Sequence, residues 1–313
     1  MRLLARGCPC PGLVFYTPIA RLVLLTHVYE NLVERGAVAM PRFPIDTSDW
    51  KLIGSDKVSA IGIGTWAIRS PRRAVETLVE AIETGQVNLI DTAEMYGDGA
   101  SERVVGEVVR RVGRDKVFIT TKMLPSRLSS EERIEAAARA SLERLGVREV
   151  DLFLIHWPAP GIPIAEQVRR FEKIVYGKGY ARYIGVSNFN ARELAEAVHA
   201  TAMTEIVVDQ VHYSVLTRHE AEEVLELILR ENLGVTIQAY TPLERGAVAR
   251  NSVVREIAEK YGKTPIQVAL NFLISRPRVV AIPKTEQRQH LREILGALGW
   301  RLSPEDIERL ESI

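Results

Sequence analysis

The sequence predicts an α/β protein: an eight-stranded parallel (β/α)8 TIM barrel with an N-terminal β-hairpin capping its bottom. Three observations predict it. Short β-branched runs alternate with segments of helical periodicity, which means a parallel sheet with helices outside. The chain from Met40 onward has roughly 270 residues, near the typical size of about 250 for this barrel. A polar or aromatic residue stands just past every run, so the strand ends would form a ring around one mouth. An open, doubly wound sheet would need a phosphate fingerprint. Gly62-Ile-Gly64-Thr-Trp-Ala67 has the first two glycines and lacks the third.

In order along the chain, Phe43 to Lys57 reads as a hairpin, with apolar positions around Trp50–Ile53 and a Gly54-Ser-Asp56 turn. Val58–Gly64 reads as the first barrel strand. A helix follows from Pro71, well placed at a first turn. Val87–Asp91 is a strand, and a helix opens near Ser101 and runs to Val112. Lys116–Thr121 is the third strand. Ser129 and Glu132 have capping-box spacing at the start of the next helix. Val150–Ile155 is a strand. Ile164–Tyr176 is a helix ended by Gly177-Lys-Gly179. Ala181–Val186, Ile206–Gln210, Gly234–Ala239 and Arg278–Ile282 are four more strands with helices between them. Ser303-Pro-Glu-Asp-Ile307 starts a last short helix.

Composition narrows the function. Of 313 residues, 46% are hydrophobic and 26% charged, enough apolar material for a core. Forty-one basic against 40 acidic residues leave a formal charge of +1, which indicates neither a nucleic-acid groove nor an anionic membrane surface. Residues 1–39 do not match the rest. They hold both cysteines (Cys8, Cys10) and two apolar runs interrupted by Pro18 and Arg21. Arg2, Arg6 and Ala37-Val-Ala39 imitate a signal peptide, but the broken apolar stretch is too short to span a bilayer. A real extension and a translation start at Met40 are the other readings, and the start at Met40 is favoured. Residues 40–313 then form one barrel domain with no cysteine, hence no disulfide and no Cys-based metal site. The expectation is a cytoplasmic monomer that acts on a small molecule.

Past the first strand stand Thr65 and Trp66. Asp91 and Tyr96 follow the second strand, Lys122 the third, and His156 and Trp157 the fourth. Ser187 and Asn188 follow the fifth, Gln210 and His212 the sixth, Tyr240 and Thr241 the seventh, Lys284 and Thr285 the eighth. Each has an ordinary reading: a helix-capping Asp, a packed surface Tyr, a Ser-Asn cap, a solvated Lys. Eight polar or aromatic ends together point to a site.

Seven segments resemble the aldo-keto reductase family, in its short-loop prokaryotic form, across residues 42–311. They are Gly62-Ile-Gly-Thr-Trp66, Ile90-Asp-Thr-Ala-Glu-Met-Tyr-Gly97, Ile119-Thr-Thr-Lys122, Leu154-Ile-His-Trp-Pro158, Ile184-Gly-Val-Ser-Asn-Phe189, Gln238-Ala-Tyr-Thr-Pro-Leu243 and Ile282-Pro-Lys-Thr285. The resemblance implies NAD(P)H bound without a Rossmann domain and a catalytic tetrad of Asp91, Tyr96, Lys122 and His156. It places Gly64, Thr65 and Trp66 at the cofactor, and implies nicotinamide-amide contacts from Ser187, Asn188 and Gln210. Ring stacking falls to Tyr240, pyrophosphate neighbours are Thr241 and Leu243, and a 2′-phosphate clamp is Lys284 with Thr285. Where the family often has Arg and Asn, this chain has His290 and Ile294, with Arg288 able to replace the Arg. NADPH is therefore the expected cofactor, with NADH possible. Trp66 and Trp157 would wall an open substrate pocket.

The chemistry agrees. Reducing a carbonyl needs a hydride at carbon, which nicotinamide provides, and a proton at oxygen. Tyr96 can give the proton, Lys122 would lower its pKa, Asp91 would hold Lys122 charged, and His156 would donate to the carbonyl oxygen. Two other classes share these residues: a cofactor-binding regulatory relative with slow turnover, and another barrel enzyme. The latter is a Schiff-base aldolase using Lys122 or a metal hydrolase using His156 and His212, for which too few further ligands stand at the strand ends.

Overall fold

The computed structural model describes residues 41–313, so the expectations for residues 1–39 lie outside the described residues. The chain opens with an antiparallel hairpin, β1 (Trp50–Ile53) and β2 (Asp56–Ser59). Eight parallel strands follow: β3 (Ile63–Gly64), β4 (Leu89–Asp91), β5 (Phe118–Met123), β6 (Val150–Ile155), β7 (Ala181–Ser187), β8 (Ile206–His212), β9 (Thr236–Tyr240) and β10 (Val279–Ala281), each hydrogen-bonded to the next. Parallel bridges Ile61↔Ala281 and Gly64↔Lys284 bring the first strand back to the last and close the ring. Gly64 makes the closure close-fitting: its N–H donates to the Pro283 carbonyl at 3.0 Å, and an added Cβ would stand 3.1 Å from the Ile282 carbonyl oxygen.

Between the strands lie the helices α1 (Pro71–Glu83), α2 (Ala100–Val112), α3 (Glu131–Leu145), α4 (Ile164–Phe171), α5 (Ala191–Ala200), α6 (His219–Arg230), α7 (Ser252–Tyr261) and α8 (Pro265–Ile274), and after the last strand come α9 (Arg288–Leu295) and α10 (Pro304–Glu311). Their apolar stripes and the outward faces of the strands make the larger core. A smaller core fills the barrel interior, where Ile53 and Val58 of the hairpin meet Leu89, Phe118, Leu152 and Val280. The hairpin is thus a plug, and each fully buried aliphatic side chain contributes about 1.5–3 kcal/mol. Its turn requires glycine. Gly54 has φ +57°, and a Cβ there would fall 2.4 Å from the Tyr183 ring that stacks on Phe118 beneath it.

Three local expectations are corrected. The run Val58–Gly64 is not one strand: Val58 and Ser59 pair with β1, while Ile61 bridges to Ala281 and Ile63–Gly64 pairs with β4 in the barrel. Ser59 makes the break, its hydroxyl donating to the Ile61 carbonyl at 2.7 Å while its N–H goes to Asn88 Oδ1 at 2.9 Å. The cap of α3 is Ser130 rather than Ser129, because Ser129 closes a short 3-10 turn from Pro125. Strands β5, β7, β8 and β9 run past their expected ends, so Lys122, Ser187, His212 and Tyr240 are strand residues. A polar residue reads as a strand end in sequence, but inside a closed barrel polar side chains satisfy one another.

Among the described residues, no helix is long and apolar enough to cross a membrane.

Candidate active site

The tetrad residues meet at the C-terminal mouth of the barrel. Asp91 ends β4 in register with Gly64 of β3 and Thr120 of β5. The chain then turns through Gly97, Asp98 and Gly99, all with positive φ (57°, 53° and 76°), before α2. Gly99 is favoured as glycine by its φ of 76°, a conformation in which a side chain is strained. This tight return holds Tyr96 over the strand ends.

Lys122 is fully buried, and its ammonium has three donors to place. They go to Asp91 Oδ2 at 2.8 Å, the Thr92 carbonyl at 2.8 Å and the Tyr96 hydroxyl at 3.0 Å. Burial works against the cation, but Asp91 and then Tyr96 outweigh it and hold the Lys122 pKa above its ordinary value. Burial pushes the Asp91 carboxyl up, opposed by Lys122 and by Gln210, whose Nε2 donates to Oδ1 at 2.7 Å.

Tyr96 differs from the expectation. Burial raises its hydroxyl, Lys122 pulls it down and Asp91 raises it again, and the balance lies above the usual 10. The lysine therefore moderates a rise caused by desolvation. Tyr96 is fully protonated near neutrality, the form a proton donor needs.

His156 follows β6, its N–H on the Met123 carbonyl at 3.0 Å. Burial, then the Lys122 charge, lowers its pKa to about 3, so the ring is neutral at physiological pH. Its Nδ1 is buried without a partner. With Nδ1 buried and unpartnered, we assign the proton to Nε2, where a ligand in the cavity can accept it. The Tyr96 and His156 rings meet edge to face at 5.9 Å, and Trp157 packs on His156 at 4.8 Å.

These groups border a cavity of about 720 Å³, within the usual range for a small-molecule site. Asp91, Tyr96, His156, Trp66 and Trp157 line it, and so do Lys284 and His290. Gly64, Ser187, Asn188, Gln210, Tyr240, Thr241 and Leu243 line the wall. Lys122 lies behind it. Thr65, Thr285 and Arg288 do not border it. The Thr65 hydroxyl donates to the Asp91 carbonyl at 2.9 Å, the Thr285 hydroxyl donates to the Gln287 carbonyl at 3.2 Å, and the Arg288 guanidinium is 2.8 Å from Glu80. Met95, Arg245, Gly246, Ile266 and Glu293 also line the cavity and were not singled out from the sequence. Arg245, 5.8 Å over the Trp66 ring, lies on a loop with no periodicity to reveal it. Gln238, which holds Gln210 at 2.9 Å, could have been found from strand alternation with Gln210 across β8 and β9.

The site fits a nicotinamide cofactor on its own evidence. One cavity is lined by the proton donor Tyr96, the exposed cation Lys284, the Tyr240 ring and the Asn188 and Gln210 amides. The other barrel readings lose support. A Schiff-base lysine must be deprotonated and accessible, whereas Lys122 is sealed and held cationic. Among the described residues, no cluster of three or more His, Cys, Asp or Glu is arranged to hold a metal ion.

Comparison with known proteins agrees. The sequence pattern of the Aldo/keto reductase family matches residues 60–313, and the chain belongs to that family. It is 32% identical over 266 residues to methylglyoxal reductase YeaE of Escherichia coli (strain K12), covering 82% of this chain and 92% of that protein. The thermostable aldo-keto reductase Tm1743, solved with the inhibitor epalrestat, is 37% identical with TM-score 0.77, over 84% of this chain and 98% of that one. An aldo-keto reductase from Klebsiella pneumoniae in complex with NADPH is 30% identical with TM-score 0.76, over 88% and 95%.

Proposed function

We propose that this protein reduces small aldehydes and ketones to alcohols with NADPH, reversibly, taking the proton from Tyr96. It is an oxidoreductase of the carbonyl/alcohol type. The observation that carries the reading is a protonated tyrosine at the cavity edge, 3.0 Å from a buried, fully hydrogen-bonded lysine and beside a neutral histidine. When bound, the nicotinamide supplies the hydride. His156 donates from Nε2 to the carbonyl oxygen and orients it. Tyr96 gives its proton to that oxygen as negative charge develops there, and Lys122 stabilises the phenolate left behind. Asp91 keeps Lys122 charged and in place.

Ser187, Asn188 and Gln210 are the groups that would meet the nicotinamide amide, and Tyr240 offers the ring it would lie on. Thr241 and Leu243 would border the pyrophosphate. Lys284, with His290, would meet the 2′-phosphate. Lys284 is not saturated by protein partners, its nearest carboxylate oxygen being Glu286 at 3.8 Å. NADH, lacking that phosphate, would bind more weakly. Trp66, Trp157 and Met95 make a wide apolar mouth suited to a range of small carbonyl compounds, and the relative named as a methylglyoxal reductase acts on one of these. The working unit in this reading is residues 40–313, acting as a cytoplasmic monomer, with residues 1–39 taking no part.

The test is a screen of aldehydes, ketones and sugars, following loss of reduced-nicotinamide absorbance with NADPH and NADH in parallel. Absence of turnover with every carbonyl, while NADPH still binds, would overturn the proposal.

A further inference from the structure

His212 stands on the barrel rim, next to the site but not on its wall, and the mechanism does not use it. It is the last residue of β8 and the register partner of Tyr240, the last residue of β9. Both side chains therefore leave the sheet on the same side. Their rings stack with centroids 5.5 Å apart and planes 16° apart. The Tyr240 hydroxyl donates to Asn188 Oδ1 at 2.7 Å, and Asn188 Nδ2 donates to the His156 carbonyl at 3.0 Å. Tyr240 is thus held at its tip by Asn188 and on its ring by His212, while still bordering the cavity.

His212 is itself fixed. Its Nε2 lies 2.7 Å from Glu244 Oε1, and the same oxygen accepts from the Ser214 hydroxyl at 2.7 Å. Burial alone would raise the Glu244 carboxyl, but the bonds from Ser214 and His212 bring it below its ordinary value, so it is an ionised acceptor. Glu244 sits on the loop after β9. Thr241, Glu244 and Arg245 have φ of 51°, 46° and 52°, a left-handed conformation unfavourable for residues with a side chain. Backbone bonds within the loop, from Glu244 N–H to the Thr241 carbonyl at 3.1 Å and from Gly246 N–H to the Leu243 carbonyl at 2.7 Å, support that conformation, and the Glu244 side chain ties it to His212 and Ser214 of the rim. Thr241, Leu243, Arg245 and Gly246 of the same loop line the cavity.

We propose that His212 and Glu244 form a positioning pair: His212 sets the plane of Tyr240, and Glu244 stakes the Thr241–Gly246 loop to the rim, so that the nicotinamide shelf and the loop beside it are organised before the cofactor arrives. This rests on the reading that Tyr240 receives the nicotinamide ring. Pre-organisation of this kind lowers the ordering cost of binding. It concerns the part common to NADPH and NADH, so both should respond alike.

Two readouts test it. The first is cofactor affinity from quenching of tryptophan fluorescence. His212→Ala should weaken NADPH and NADH by the same factor, roughly two- to tenfold for a lost aromatic stack. His212→Phe keeps the stack and should recover part of the loss. His212→Ala should cost less when added to Tyr240→Leu than it costs alone, because the part that acts through the Tyr240 ring is already gone and only the part that acts through Glu244 and the loop remains. The second readout is the rate of tryptic cleavage after Arg245, which needs no cofactor. It should rise in His212→Ala and in Glu244→Gln at unchanged melting temperature. A folded His212→Ala protein with wild-type affinity for both cofactors and wild-type cleavage overturns the pair, as do losses that multiply with Tyr240→Leu. If Tyr240→Leu leaves both affinities unchanged, the stacking reading fails and the proposal fails with it.

Discussion

Replacing Lys122 with methionine separates two roles of one side chain. The variant keeps an apolar stem of similar length and removes three hydrogen bonds, to Asp91, the Thr92 carbonyl and Tyr96. Asp91 is then a buried carboxylate with only the Gln210 amide on it, at 2.7 Å. Stranding one member of a buried ion pair costs about 3–5 kcal/mol. Tyr96 loses the one charge that lowers its pKa, while burial and Asp91 continue to raise it. Phenolate formation is then opposed, and reduction should fall by a factor of about 10²–10⁴, as for a lost general acid. Adding Asp91→Asn removes the stranded charge. It should return most of the stability and none of the activity. Urea unfolding followed by circular dichroism gives the first quantity, and kcat/KM for one good aldehyde gives the second. A Lys122→Met protein as stable as wild type would refute the reasoning, and so would a double variant that regains turnover with its stability.

Three other outcomes follow from the same geometry. Tyr96→Phe keeps the ring and deletes the proton, so NADPH titration should be near normal while kcat/KM drops by about 10²–10⁴. Near-normal reduction would refute its role. Lys284→Ala should weaken NADPH by about one to two decades, the equivalent of a lost charge-assisted contact of roughly 1.5–3 kcal/mol, and leave NADH little changed. Equal losses would move the phosphate contact to His290, which also lines the cavity. Because the His156 pKa is lowered to about 3, its ring gains no proton on going from pH 8 to pH 5. The reduction profile should carry no inflection from it there, and an inflection near 6.5 that vanishes in His156→Gln would contradict a neutral histidine.

The barrel was legible because its signals are periodic: β-branched runs, helical stripes, and a chemical residue after each run. The gathering of Asp91, Tyr96, Lys122 and His156 was legible because each stands at or near a strand's C-terminal end. Boundaries were less so. One apolar run, Val58–Gly64, serves both the plug and the barrel, and only the Ser59 hydroxyl marks the division. Arg288 lies near Lys284 in sequence, but its place on α9 turns it to Glu80 of α1. Arg245 and Glu244 were missed because their place depends on left-handed backbone that carries no glycine signal at those positions. The direction of the Tyr96 shift was missed because a motif shows the neighbouring lysine and not the depth of burial.

The buried cation is kept by a network that reaches across the barrel. Lys122 and Thr120 are on β5 and Asp91 on β4, while Gln210 and Gln238 are on β8 and β9. Gln210 Nε2 bridges Asp91 at 2.7 Å and Gln238 Oε1 at 2.9 Å, and Gln238 Nε2 reaches the Thr120 hydroxyl at 3.2 Å. The strands at the two ends of this chain face each other only because β3 meets β10, so the geometry around Lys122 depends on barrel closure. A network of this kind stabilises when every member is satisfied and is costly when one is not. Gln238 is fully buried and does not border the cavity, so its replacement tests the network without touching substrate or cofactor. Gln238→Leu leaves the Gln210 amide and the Thr120 hydroxyl short of a partner. It should cost about 1–3 kcal/mol in urea unfolding. With Gln210 free to turn, Asp91 is held less firmly, and kcat should fall as well. A Gln238→Leu protein with wild-type stability and wild-type turnover would mean that Asp91 and Lys122 hold their geometry unaided.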